Sequence, residues 1–175
     1  MGPRAIRSPA FGGPAVSVVS PPNPVRSLLD VIAFRYWLIS LVVLFVKMYA
    51  NSVVQGLTRF RSGQFAWPED ARMIRGAAVV ERDPEVVERA SRCWRNDLEN
   101  IPIYLFLGLG YVLSGGTPGW AALYFTTFTV ARVAHTFCYM RGLQPYRNIA
   151  YQLGTLVCFA LAIHIVILLL TIRPI

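Results

Sequence analysis

The chain has 175 residues, the length of one domain, with 55% hydrophobic residues, 15% charged residues and a formal net charge of +8. Its charges are clustered and leave apolar runs longer than the roughly 18 residues that cross a bilayer, which excludes an ordinary soluble domain. The basic excess sits beside those runs, where Arg and Lys set topology, and not on a solvated face with aromatic readers, which excludes nucleic acid as a partner.

Residues 1–26 hold six prolines and the basic residues Arg4, Arg7 and Arg26 without an acid. No continuous apolar stretch follows these arginines and the prolines oppose a helix. The segment reads as a disordered N-terminal arm, with a basic transit-like segment as the alternative. Residues 27–175 read as a four-helix transmembrane domain. The first span, 27–58, carries Asp30 and Arg35 near its start and Lys47 in its middle. Lys47 is too deep to snorkel to the interface, so it must face other helices or a polar cavity.

A polar first loop, 59–83, leads to a second span over 84–113. Pro84 suits a first helical turn, and Asp83 before it is a good N-cap. This helix is charged through EVVERASRCWRNDLEN and apolar from Ile101, with Pro102 expected to kink it. The turn SGGTPG separates the third span, 120–140, and RGLQPYR leads into the fourth, 148–172, with Arg173 at its end. Short connections between apolar helices predict an all-α, up-down transmembrane bundle. The arginines concentrated in the first and third loops put those loops in the cytoplasm and both termini across the membrane. Cys93, Cys138 and Cys158 lack C-x-x-C or metal-ligand spacing, so they read as inert and no metal site is expected. His164 lies alone in the fourth span and reads as a packed residue bonded to a backbone carbonyl.

Polar groups within the spans are costly, so they carry the information. Arg92, Asn96 and Glu99 fall on one face of the second helix, with Arg95 adjoining them. Arg132, His135 and Tyr139 share a face of the third helix, and Arg147 and Tyr151 share one at the start of the fourth. Ion pairs would account for part of this: Arg95 with Glu99, Arg92 with Glu88, and Arg132 with an acid on a neighbour. They do not account for the whole set, because Arg92, Arg95, Arg132 and Arg147 outnumber Asp97 and Glu99. A cationic excess inside the membrane implies an anionic ligand, and arginines bind carboxylates bidentately.

Four ordered motifs carry a resemblance: PED at Pro68–Asp70, VERxxRxxRNDLEN at Val87–Asn100, ARVAHTxxY at Ala131–Tyr139 and QPxR at Gln144–Arg147. Over roughly residues 41–160 the chain resembles the membrane-associated proteins in eicosanoid and glutathione metabolism, both the microsomal glutathione transferases and the prostaglandin E synthases among them. The resemblance implies a homotrimer in the endoplasmic reticulum membrane, with glutathione bound between subunits on the cytoplasmic side. It implies that Arg95, Asn96 and Glu99 hold the ends of glutathione, and that Arg59, Arg92, Arg132, His135 and Tyr139 add carboxylate and peptide contacts. It further implies that Arg147 sits by the sulfur with Tyr151 beside it, and that Asp70 takes part in the synthase chemistry.

That chemistry suits the residue types. A thiol of ordinary pKa near 8.5 is mostly protonated at neutral pH, and a guanidinium beside it stabilises the thiolate. Apolar helix walls then concentrate a hydrophobic small-molecule substrate next to it. The implied activity is glutathione transferase or peroxidase chemistry. The alternatives are isomerisation of a prostaglandin endoperoxide and a non-catalytic, lipid-binding scaffold. Trp94 replaces a His of close members, Ala71 replaces a Cys of the vertebrate transferase, and Asn148 replaces a Ser of the synthases. Tyr151 and Lys47–Tyr49 lean toward the synthases, whereas NDLEN and QPxR lean toward the transferases.

Overall fold

The structure is a computed structural model that describes residues 31–171. The expected N-terminal arm, the start of the expected first span and Arg173 lie outside the described residues. Within them the chain forms α1 (Ile32–Ser62), β1 (Gln64–Phe65), α2 (Pro68–Arg72), β2 (Ala78–Val79), α3 (Glu85–Leu113), α4 (Pro118–Arg141) and α5 (Tyr146–Thr171).

The helix ends follow local chemistry. α1 continues past the expected boundary at residue 58 because Arg59 and Arg61 suit the negative end of a helix, and Gly63, at φ 61°, closes it in the left-handed region. α3 starts one residue later than expected, with Pro84 at the cap and no side-chain cap bond. Asp83 does not cap it, because both its oxygens are taken by Arg59, at 3.1 Å from Nε and 2.6 Å from Nη2. That bidentate pair ties the end of α1 to the start of α3. The connection between them is more than a polar loop: Gln64–Phe65 pairs in parallel with Ala78–Val79, and α2 seats Ala71 beneath it. α3 is continuous through Pro102.

α4 ends at Gly142, φ 67°, where Gly142 N–H donates to Tyr139 O at 3.2 Å and Leu143 N–H to Cys138 O at 2.8 Å. This pair of bonds closes the helix and turns the chain sharply into α5.

α1 packs on α3 and α4, α5 packs on the same two, and α3 meets α4, whereas α1 and α5 stand apart at opposite corners. Leu44, Tyr104, Tyr111, Phe125, Phe128 and Leu161 form the centre. Tyr104 stacks on Phe128 with ring centres 3.6 Å apart, and its hydroxyl is held by Ser40 at 2.6 Å. Buried tyrosines need such a partner for the hydroxyl. His164 bonds to the hydroxyl of Tyr124 at 3.1 Å, and not to a backbone carbonyl, because Tyr111, Trp120 and Tyr124 enclose its ring. The outer faces carry exposed Phe45, Phe106, Leu156, Phe159 and Leu170, a surface suited to lipid and not to water.

Of the four spans expected, α1 and α5 are by themselves long and apolar enough to cross a membrane. α3 and α4 carry the polar residues: α3 is charged up to Glu99, and α4 is interrupted by Arg132 and His135. These two helices, with the start of α5, build the candidate site.

Candidate functional site

Inside the bundle, α3 buries Asp97 completely. Lys47 reaches it from α1 in an ion pair, and Asn51 Nδ2 approaches the same oxygen at 3.4 Å. The mid-span lysine therefore faces inward, onto an acid of the next helix. Asp97 is one residue from Asn96, whose Oδ1 accepts a bond from Arg132 Nη1 at 2.8 Å. Arg132 and His135, three residues apart on α4, are both buried. The Arg132 guanidinium lies 5.3 Å from the Phe128 ring centre and 5.5 Å from that of Tyr151, within cation–π range.

Toward the α4–α5 turn the cluster continues. The His135 ring lies 5.7 Å from Tyr139 and 6.2 Å from Tyr151. Arg147, in the first turn of α5, sits 4.7 Å over the Tyr139 ring, and the side-chain amide of Gln144 lies against its guanidinium. The tight turn at Gly142 brings Arg147 back over the end of α4. Tyr151 also lines an apolar cavity of about 270 Å³ between α3 and α5, walled by Ile103, Leu107, Thr155 and Phe159 with Asn100 on its rim. A cation, a phenol and an apolar groove thus share one edge of the bundle.

Of the residues singled out from the sequence, Asn96, Arg132, His135, Tyr139, Arg147 and Tyr151 come together here. The others do not join this cluster. Arg59 is bound to Asp83, and Arg92 donates to Glu88 at 2.9 Å. Arg95 and Glu99 are exposed on α3 and form no ion pair with each other. Arg132 pairs with the neutral Asn96 and not with an acid. Asp70, on α2, borders a separate cavity of about 310 Å³ with Arg59, Phe65 and Met73. Sequence reasoning named Lys47 and Asp97 as charges without pairing them. The signal was present, since two opposite charges within apolar spans must find partners. Asn51, Asn100 and Thr155 gave no such signal.

A helical bundle with apolar outer faces, a buried polar cluster and an apolar groove opening beside it is the architecture of a membrane protein with a polar site. Residues 36–167 match the MAPEG family. The chain is 38% identical to horse prostaglandin E synthase over 83% of its own length and 95% of that protein's. It is 40% identical to the human prostaglandin E synthase over 76% of the chain and 88% of the relative. It is also 39% identical to pig microsomal glutathione S-transferase 1, over 66% of the chain and 77% of the relative. The chain belongs to the MAPEG family and, with its two long apolar helices, is an integral membrane protein. The resemblance read from the four motifs is borne out.

Proposed function

We propose that the chain is a glutathione-dependent membrane enzyme that activates the glutathione thiolate toward hydrophobic electrophiles or peroxides. The observation that supports this best is the meeting of Arg147, Tyr139, His135 and Tyr151 at the edge of an apolar groove. Glutathione brings two carboxylates, an ammonium group and a thiol. Arg95 and Glu99 have no ion-pair partner among the described residues, which leaves them available to its carboxylate and ammonium ends, with Asn96 beside them. Arg59 and Arg92 would add carboxylate contacts only by exchanging their present acids. Arg147 is the cation for the sulfur, Tyr151 its neighbour, and the groove lined by Tyr151 takes the hydrophobic substrate. Asp70 acts in catalysis on this reading only if another part of the assembly brings it to the cluster.

The finer reading is a homotrimer of four-span subunits in the endoplasmic reticulum, in contact with membrane lipid and with the glutathione site facing the cytoplasm. A second reading, glutathione-dependent isomerisation of a prostaglandin endoperoxide, gains support from the prostaglandin E synthases, which align over 88% and 95% of their length. A scaffold without catalysis would have no use for the retained Arg95, Asn96, Glu99, Arg147 and Tyr151. Purified protein assayed with glutathione against a chloronitrobenzene and against a prostaglandin endoperoxide separates the three. Turnover of the first supports the transferase and turnover of the second the isomerase, whereas turnover of neither, with no turnover of an organic hydroperoxide either, counts against the enzymatic reading.

A further inference from the structure

Resting on the glutathione reading, we infer that Arg132 is a positioning residue and not a ligand of glutathione: its buried guanidinium holds Asn96 of α3 and Tyr151 of α5 in one arrangement. Arg132 is 0% exposed within a single chain, so a peptide carboxylate cannot reach it without parting the helices. It belongs to α4, yet its polar and ring contacts reach the helices on either side. Nη1 donates to Asn96 at 2.8 Å, and the guanidinium carbon lies 5.5 Å from the Tyr151 ring centre. Gly154, on the same helix as Tyr151, leaves room for it: a Cβ there would stand 3.4 Å from Arg132 Nε and 3.5 Å from Nη2.

Arg132 has no ion pair among the described residues, but its partner Asn96 adjoins the buried Asp97 on α3, and Asp97 is in turn held by Lys47 of α1. Four helices therefore converge on one arrangement, with Asn96 and Tyr151 at its outer edge.

The cluster is poorly arranged for stability alone. Arg132 Nε and Nη2, Asp97 Oδ1 and His135 Nδ1 are all buried without a hydrogen-bond partner. Unsatisfied buried groups destabilise a fold, and apolar side chains of similar volume would often pack there at no loss. What the guanidinium supplies and an apolar residue cannot is a directed bond to Asn96 together with a flat cationic face to Tyr151. A lysine cannot supply both either, since its ammonium is a point charge without a planar face.

The test uses the full-length protein in detergent, with Arg132→Lys as the main variant, because it keeps a cation near Asp97. It is combined with Asn96→Ala and, separately, with Tyr151→Leu. We expect Arg132→Lys to lower kcat/KM for glutathione by at least about tenfold, and we expect that loss to shrink to less than about threefold in at least one of the two backgrounds. Losses that multiply independently in both backgrounds overturn the inference. So does an unchanged kcat/KM per folded protein with only the thermal midpoint lowered. Arg132→Met guards the result: a rise in KM that persists undiminished in the Asn96→Ala background, with kcat kept, would mark Arg132 as a direct ligand and overturn the inference. Wild-type protein that neither binds nor turns over glutathione overturns the glutathione reading and this inference with it, whereas an active wild type with independent losses overturns this inference alone.

Discussion

Arg147 and Arg95 are both arginines at the polar end of the bundle, and their surroundings differ. Arg95 is exposed on α3 beside Glu99 and makes no ion pair among the described residues. Arg147 is half-buried, seated on the Tyr139 ring and backed by Gln144 at the turn into α5. A group that only grips glutathione does so in ground and transition states alike, so Glu99→Gln is expected mainly to raise the KM for glutathione. A group at the sulfur acts where charge is exposed, so Arg147→Ala is expected to lower kcat at least about tenfold, about 1.4 kcal/mol of transition-state stabilisation. Thiolate formation should move to higher pH in that variant. Steady-state kinetics with glutathione varied, together with thiolate absorbance against pH, check both outcomes. Full turnover and an unchanged pH profile in Arg147→Ala would leave Arg147 as an interfacial anchor.

At the scale of the helices, the site depends on how closely α1, α3 and α4 approach. Their contact is set by Gly108, where an added Cβ would stand 2.9 Å from Phe125 of α4 and 2.9 Å from Trp37 of α1. Trp37 is fixed by its indole N–H, which donates to Leu105 O at 3.1 Å, and Phe125 is packed edge-on against Tyr104. Neither ring can move away freely. Gly108→Ala is therefore expected to destabilise the bundle by about 1–3 kcal/mol through overpacking, read as a lower thermal midpoint in detergent. Helix existence was legible from the apolar runs and from the SGGTPG and RGLQPYR breaks. The start of α3 was not: Asp83 is a good N-cap in isolation, but Arg59, 24 residues earlier, claims both its oxygens.

For the whole molecule, the balance of charge decides what must come from outside. Read from the sequence, the cationic stripes exceed anything one subunit could neutralise. The fold reduces that excess, since Lys47, Arg59 and Arg92 each find an acid within the chain. Arg95, Arg132 and Arg147 remain without one among the described residues. Arg95 and Glu99 are also exposed on α3 and make no hydrogen bond or ion pair with the cluster around Tyr151 among the described residues. A site completed by a neighbouring subunit accounts for that separation, and we expect a trimer that binds glutathione, measured by native mass spectrometry in mild detergent. A monomer that still binds glutathione would sink this expectation. The positive-inside pattern further predicts that a glycosylation acceptor near the N-terminus is modified in the endoplasmic reticulum and one near Gly63 is not. The reverse would place the cluster on the lumenal side.

The sequence by itself determined the class of this protein, because the cost of exposing apolar helices to water and of burying backbone in lipid leaves few alternatives for such a composition. It also marked which polar side chains need a partner, because each one within an apolar span is expensive unless paired. Only the tertiary structure decided which of them meet. Helical spacing puts Arg132, His135 and Tyr139 on one face of α4, but it says nothing of how α3 and α5 rotate against that face. Those rotations follow from large rings packing around Gly108 and Gly154 and from the Lys47–Asp97 pair at the centre. They bury Arg132 with Asn96 and Tyr151, carry Arg147 onto Tyr139, and leave Arg95, Glu99 and Asp70 outside the cluster. Periodicity fixes a direction along one helix, whereas a site made from three helices is fixed by packing between residues far apart in the chain.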